Sequence, residues 1–80
     1  MVNRKLFDEI VSRTGLAPII GPGTVQRALH AAGVSPELAQ TQDYLRALPE
    51  LRVRMAIYLE PTMLEQRVRQ IEAHLKHIAE

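Results

Sequence analysis

The side chains that most often perform chemistry in proteins are sparse in this sequence. Cysteine is absent, and the three histidines are His30, His74 and His77. His74 and His77 are spaced i, i+3, so both could reach one metal ion from the same face of a helix, but the sequence places no suitable third ligand with them. We therefore interpret both as residues of a solvated helix face, and we expect no metal site and no cofactor.

The carboxylates and hydroxyls do not form a catalytic pattern either. Acidic residues fall at predicted helix starts or in i, i+4 pairs with basic residues, such as Glu65 with Arg69 and Glu72 with Lys76, which accounts for them as caps and surface charge. No combination of Ser, His and Asp has a spacing that supports nucleophilic catalysis. The sequence predicts a protein that is not an enzyme, and it gives no indication of a small-molecule substrate.

A glycine-containing turn precedes the second predicted helix, in the stretch LAPIIGPGTVQRAL, residues 16–29. This stretch resembles the helix-hairpin-helix motif, in which an apolar-Gly-apolar-Gly turn leads into a helix. Gly21 matches the second glycine of the motif and Ile20 the apolar residue before it. Ile19 stands where the first glycine is usual, and Gly23 stands where a lysine is frequent.

The resemblance implies sequence-independent binding of nucleic-acid phosphates by backbone N–H groups at a helix N-terminus. The residues that would bind phosphate here are Gly21, Gly23, Thr24 and Arg27. The resemblance covers residues 16–29 alone, and no second glycine hairpin follows later in the chain. The same turn also has a purely structural interpretation, in which Ile19 and its neighbour Ile20 insert into the core.

The segment TVQRAL, residues 24–29, is also similar to the recognition helix of some helix-turn-helix repressors. Eight residues separate Gly15 from Thr24. That distance is too long for the tight turn that places such a helix in the major groove. The spacing therefore disfavours this second DNA-binding interpretation.

Five prolines divide the chain, and each falls between segments with helical periodicity. Proline lacks a backbone N–H and disrupts a helix interior, whereas it is well tolerated in the first turn. No stretch alternates with the period of a β-strand. We therefore expect an all-α fold, a compact single domain over residues 1–80 with about five short helices and a longer amphipathic C-terminal helix.

The helix boundaries follow from capping residues. The first helix is predicted over residues 4–14, with Gly15 as its terminator, and the second begins between residues 22 and 24 and ends at Gly33. Further helices are predicted with Ser35 and Thr41 as their N-caps, and two more are predicted to begin at Pro49 and Pro61.

The last predicted helix carries the most regular apolar pattern, a seam with alternating spacings of four and three residues. This seam consists of Leu64, Val68, Ile71, Leu75 and Ile78. Such a stripe either packs on the core of its own domain or pairs with a helix of another chain, and the pattern is the same in both cases. The sequence leaves both interpretations open.

Composition limits the partners. Ten basic and nine acidic residues give a net charge of +1, well below the excess that is usual for electrostatic binding of nucleic acid. The hydrophobic share of 46% argues against disorder, no apolar run is long enough to span a membrane, and no export signal is recognisable. We expect a cytoplasmic protein that does not enter membranes.

These patterns predict a non-catalytic helical protein–protein interaction module, an adaptor, a regulator or a self-assembling unit. It would dock onto a protein partner or a second copy through the seam of the C-terminal helix and the apolar loop 16–20, with Ile19 and Ile20. The alternative is a nucleic-acid-binding domain that contacts phosphates through the turn 21–24.

Overall fold

The computed structural model describes residues 4–79, which form four helices and no strand. The helices are α1 (Arg4–Thr14), α2 (Gly21–Ala31), α3 (Thr41–Met55) and α4 (Pro61–Ala79). The all-α prediction is confirmed, whereas the expected number of five helices is wrong. With 19 residues, α4 is the longest of the four.

The four helices form a closed antiparallel ring. Each helix packs against the next, and α4 also packs against α1. Arg52 near the end of α3 pairs with Glu65 near the start of α4, and Glu9 of α1 contacts His74 in the second half of α4. These pairs define an up-down-up-down bundle with short connections. Its radius of gyration is 11.3 Å, close to the value of about 12 Å expected for a compact chain of 80 residues.

The first two helices end at glycines, as predicted. Gly15 and Gly33 adopt φ values of 71° and 80°, a left-handed conformation that is strained for residues with a Cβ. After α2, the Val34 N–H donates to the Leu29 carbonyl and the Gly33 N–H to the His30 carbonyl, both at 2.9 Å. These two hydrogen bonds satisfy carbonyl groups that would otherwise have no partner at the end of a helix.

Two predictions for the connection between α2 and α3 are wrong. The helix expected to begin at Ser35 is a single turn over residues 36–38, closed by the Leu38 N–H donating to the Ser35 carbonyl at 3.0 Å. The N-cap of α3 is Gln40 rather than Thr41, and its N–H donates to the Asp43 carboxylate at 2.8 Å. The chain forms only this one turn, because helix nucleation is unfavourable unless further turns or packing stabilise it.

The helix predicted to begin at Pro49 is also absent, because α3 runs through this proline. Pro49 has no N–H to donate to the Leu45 carbonyl, which weakens a helix interior by about 3 kcal/mol. Leu48, Leu51 and Met55 are nevertheless all buried, and each such side chain contributes about 1.5–3 kcal/mol. Packing of this face therefore outweighs the local preference to break the helix.

The core lies along the axis of the bundle and draws on all four helices. Its fully buried large side chains include Ile10, Val25, Leu29, Met55, Ile71 and Leu75. Two threonines are buried as well. The Thr14 hydroxyl donates to the Val11 carbonyl at 2.7 Å and accepts the Leu16 N–H at 3.2 Å, so it fixes the path of the chain around the end of α1.

Tyr44 is the exception among the core residues, because its polar atom is not satisfied. The residue is buried, and its hydroxyl has no hydrogen-bond partner. Burial, reinforced by the negative charges of Asp8 and Asp43, raises the pKa of Tyr44 from 10.0 to about 12. The hydroxyl is therefore a site where the fold loses stability rather than gains it.

We expect Tyr44→Phe to stabilise the protein by about 0.5–2 kcal/mol, because removing an unpaired buried hydroxyl removes its desolvation penalty while the ring keeps its packing. Urea denaturation at pH 7 measures the change. Tyr58→Phe is the matched control, since Tyr58 is half exposed and its hydroxyl can bind water. A loss of more than about 1 kcal/mol in Tyr44→Phe would show that the hydroxyl has a partner.

The difference in free energy of unfolding between the parent protein and Tyr44→Phe depends on pH. Below pH 10 Tyr44 keeps its proton in both the folded and the unfolded state, whereas between pH 10 and about 12 it ionises more readily in the unfolded state. The free energy of unfolding of the parent protein therefore falls across this window, and about 1–3 kcal/mol of that fall is absent in Tyr44→Phe. Parallel curves for the two proteins would contradict the raised pKa.

We expect Pro49→Ala to stabilise α3 by about 1–3 kcal/mol, because alanine restores the N–H that can donate to the Leu45 carbonyl. Pro61→Ala is the control, since Pro61 is the first residue of α4, where proline is well tolerated. Denaturation midpoints and helical circular dichroism report both variants. Equal effects at the two prolines would mean that α3 does not carry the strain expected at Pro49.

Candidate interaction surface

The first turn of α2, which the helix-hairpin-helix resemblance assigns to phosphate binding, has few free donors. The Gly21 N–H donates to the Ala17 carbonyl at 2.8 Å, and Thr24 donates to the Ile20 carbonyl through both its N–H and its hydroxyl, at 3.1 and 2.9 Å. Pro22 has no N–H. Of the amides in this turn, only that of Gly23 is left for a ligand, whereas a phosphate-binding turn offers several N–H groups.

Packing between helices explains the glycine at position 21. Gly21 is buried, and a Cβ built on it would lie 3.1 Å from Cγ1 of Val11 in α1. A Cβ on Gly23 would meet only Nη1 of Arg27, at 3.7 Å, which is an ordinary contact. Gly21 therefore allows α1 and α2 to approach each other closely, and this role requires no ligand.

The seam of α4 faces mainly inward. Leu64, Ile71 and Leu75 are buried in the core, and Val68 is half buried. Of the five seam residues only Ile78 is exposed, at 44%. Three of the residues predicted to contact a partner thus hold the bundle together, so the seam as a whole is not a free surface.

The loop before α2 does not have the arrangement that the structural interpretation predicts, in which Ile19 and Ile20 both insert into the core. Ile19 is 95% exposed, whereas Ile20 is half buried. Ile19 therefore does not insert into the core. Of the residues predicted to contact a partner, it is the most accessible.

Exposed apolar residues collect at one end of the bundle. We call it the Ile57 end; it comprises the loop 15–20, the first turn of α2, the last turn of α3, residues 56–60 and the first turn of α4. Among the described residues seven large apolar side chains are exposed, and five belong to this end: Ile19, Val53, Ile57, Tyr58 and Met63. The other two, Leu38 and Ile78, lie at the opposite end. The Ile57 end therefore carries most of the exposed large apolar side chains among the described residues.

A small cleft at the Ile57 end places two arginines beside Ile57 and Tyr58. It has a volume of about 60 Å³ and is lined by Thr24, Arg27, Arg54, Ile57 and Tyr58; we call it the arginine cleft. The Arg54 Nη2 pairs with the Glu50 carboxylate at 3.0 Å, while the Arg54 Nε is buried and has no partner. Arg54, which lines the cleft, therefore has one N–H donor that the protein itself does not satisfy.

Two other depressions are larger but less specific. One, of about 300 Å³, is open and has mostly exposed polar walls from α1, α2 and the turn 35–37, with Phe7 as its main apolar residue. The other, of about 280 Å³, runs between α3 and α4, where Leu45 and Val68 face it and Arg52 and Glu72 flank it. Neither contains an unsatisfied buried polar atom.

The histidines take structural or solvent-facing positions. His74, half buried, lies 2.5 Å from the Glu9 carboxylate and joins α4 to α1, while His30 and His77 are exposed. In the part of the chain that the structure describes, no three His, Cys, Asp or Glu side chains come together in a way that could hold a metal ion. Over residues 4–79, no helix combines the length and the apolar character needed to cross a bilayer.

Comparison with family models, with curated proteins and with solved structures finds no match for this chain. The resemblance to the helix-hairpin-helix motif thus stays partial, confined to residues 16–29, and no family covers the whole chain.

Val53, Ile57 and Tyr58 were not singled out from the sequence. A signal for Val53 was present, because Leu48, Leu51 and Met55 define the buried stripe of α3 and position 53 lies on a different face of that helix. Ile57 and Tyr58 could not be placed because the end of α3 at Met55 was not apparent from the sequence.

We expect Gly21→Ala to destabilise the protein by about 1–2 kcal/mol, because the added Cβ crowds Val11, and Gly23→Ala to stabilise it by about 0.5–1 kcal/mol, because alanine favours the helix and keeps its N–H. Thermal denaturation measures both changes. Adding Val11→Ala to Gly21→Ala tests the packing explanation, since the two substitutions should be less than additive. Full additivity would show that the Gly21–Val11 contact does not explain the glycine.

Proposed function

We propose that this chain is a non-catalytic helical protein–protein interaction module that docks through the Ile57 end. The observation that carries the proposal is the collection of five exposed large apolar side chains at that end, with Ile57 74% and Val53 64% accessible. A group of exposed large apolar side chains at one end of a fold is a feature of binding sites, whereas single apolar side chains scattered over a surface need no explanation.

The chemical character of the Ile57 end supports this proposal. Tyr and Arg are enriched at the energetic centres of protein interfaces, and Tyr58, Arg27 and Arg54 stand beside the exposed apolar residues. The end is built on helix termini fixed by the bundle rather than on a long loop. A partner would therefore meet a largely preformed surface, which lowers the entropic cost of binding.

Phosphate binding by the turn 21–24 receives less support. The donors of this turn are mostly used within the chain, Gly21 has a packing role, and the net charge is only +1. The proposal retains Ile19 and Arg27 from the sequence predictions, but assigns them to the same protein-binding surface.

Site-specific photocrosslinking tests the proposed surface. With p-benzoylphenylalanine at position 57, irradiation of the chain in its native cells should give a discrete covalent adduct to one partner, at a yield at least tenfold above that of the same group at position 70, an exposed site on α4. Adding Val53→Ser should reduce the yield, because it removes neighbouring apolar area from the docking surface. Adducts of equal yield at positions 57 and 70, or none at position 57, would refute the proposal.

The purified chain distinguishes a second copy from another protein. An adduct of twice 9.0 kDa formed at micromolar concentration identifies self-association, whereas an adduct that forms only in cells identifies a different partner. Light scattering of the unmodified protein checks the first result independently.

A further inference from the structure

We infer that the partner presents an acidic segment, in which a carboxylate enters the arginine cleft and neighbouring apolar side chains cover Ile57 and Tyr58. This inference rests on the proposed function and specifies the chemistry of the partner. Two features of the cleft that are independent of the apolar surface support it: the unsatisfied donor of Arg54 and the unpaired guanidinium of Arg27.

Arg54 is held in position but only partly neutralised. Its Nη2 pairs with Glu50 from the preceding turn, which fixes the guanidinium, while the Nε–H is buried and donates to nothing. A guanidinium has five N–H donors in a rigid planar arrangement that matches the two oxygens of a carboxylate. A buried donor without an acceptor costs free energy, and a carboxylate in the cleft would remove that cost where the partly exposed Arg54 side chain shifts so that its Nε–H meets the carboxylate.

Arg27 brings a second positive charge to the same cleft. It forms no ion pair in the described part of the chain, and its guanidinium lies over the first turn of α2, with Nη1 near Gly23. The remaining walls are Ile57, Tyr58 and Thr24, whose hydroxyl donates to the Ile20 carbonyl. Two arginines against the one carboxylate of Glu50 leave the cleft positive, which favours an anionic group inside it.

The surroundings favour an acidic peptide over nucleic acid. The cleft holds about 60 Å³, which suits a single carboxylate, and the neighbouring surface is apolar, whereas a phosphate backbone needs an extended positive track. An acidic side chain flanked by apolar ones complements both parts of the surface. The partner segment is therefore one in which Asp or Glu adjoins Leu, Ile, Phe or Met.

Selection from a random library of displayed 12-residue peptides tests this inference without assuming a partner. The immobilised 80-residue protein should enrich peptides in which Asp or Glu adjoins a large apolar residue, at least threefold over the input. The enriched pool should bind the Arg27→Gln, Arg54→Gln double variant at least tenfold more weakly. The Arg46→Gln, Arg69→Gln double variant removes the same charge away from the cleft and should bind as the parent does, apart from a small uniform loss.

Chemical shifts of the labelled protein then locate the binding. A synthetic peptide from the enriched pool should perturb the amides of residues 27, 54, 57 and 58 and the Nε–H of Arg54, and its Asn and Gln counterpart should bind at least tenfold more weakly. If Arg54→Gln lowers stability, Arg27→Gln alone serves as the test, because Arg27 is exposed and makes no ion pair in the described residues; it should weaken binding at least threefold.

The outcomes separate the inference from the proposed function. Enrichment of neutral apolar peptides that bind the Arg27→Gln, Arg54→Gln variant equally well would overturn the acidic partner and leave the Ile57 end as a protein-binding surface. If the selected peptides bind the Val53→Ser, Ile57→Ser double variant as tightly as they bind the parent protein, the acidic partner and the proposed docking surface are both overturned. A 12-base-pair DNA duplex that displaces the peptides and perturbs the turn 21–24 more strongly would replace the acidic peptide with a phosphate backbone.

Discussion

Leu64, Ile71 and Leu75 of α4 are buried between α4 and its neighbours α1 and α3, and this packing joins the last helix of the chain to the first. At this length a chain buries a modest share of its surface, and no disulfide is possible without cysteine. The bundle therefore depends on completing its ring of four helices. One polar contact reinforces the closure, the Glu9–His74 pair, and the guanidinium of Arg67 packs closely over Gly15, where a Cβ would crowd it.

Closure of the ring also determines where function can reside. Because neighbouring helices are antiparallel, the loop 15–20 and the residues 56–60 must meet at the same end of the bundle. Pro61 begins α4 and disfavours a helical conformation for Glu60 before it, so α3 and α4 do not continue as one helix and the chain turns within residues 56–60. Leu59 packs against the core in this turn, while Ile57 and Tyr58 point outward. The Ile57 end is thus a consequence of the short connection.

The sequence allows the prediction of those elements that local chemistry controls. The bounds of α1, the glycine terminators of α1 and α2, and the start of α4 at Pro61 follow from capping rules that involve only neighbouring residues. Pro49 was mispredicted because its local effect opposes the burial of Leu48 and Leu51, which depends on contacts far apart in the chain. For the same reason the pattern of α4 did not reveal whether the seam faced inward: an amphipathic stripe is identical whether it packs on its own core or on a partner.

The proposed docking surface and the core use separate sets of residues, and this separation gives the proposed function its physical basis. Val53 and Ile57 lie outside the buried stripe of α3, so their accessible side chains contribute little to the stability of the bundle, although they favour association. In a chain with few core residues, apolar side chains that the fold does not use carry a risk of aggregation. Arg27 and Arg54 reduce that risk, because charged groups beside an apolar patch disfavour contact with partners that carry no complementary charge. In the proposed complex the arginines would act on selectivity, while the apolar residues would supply most of the surface that is buried on binding.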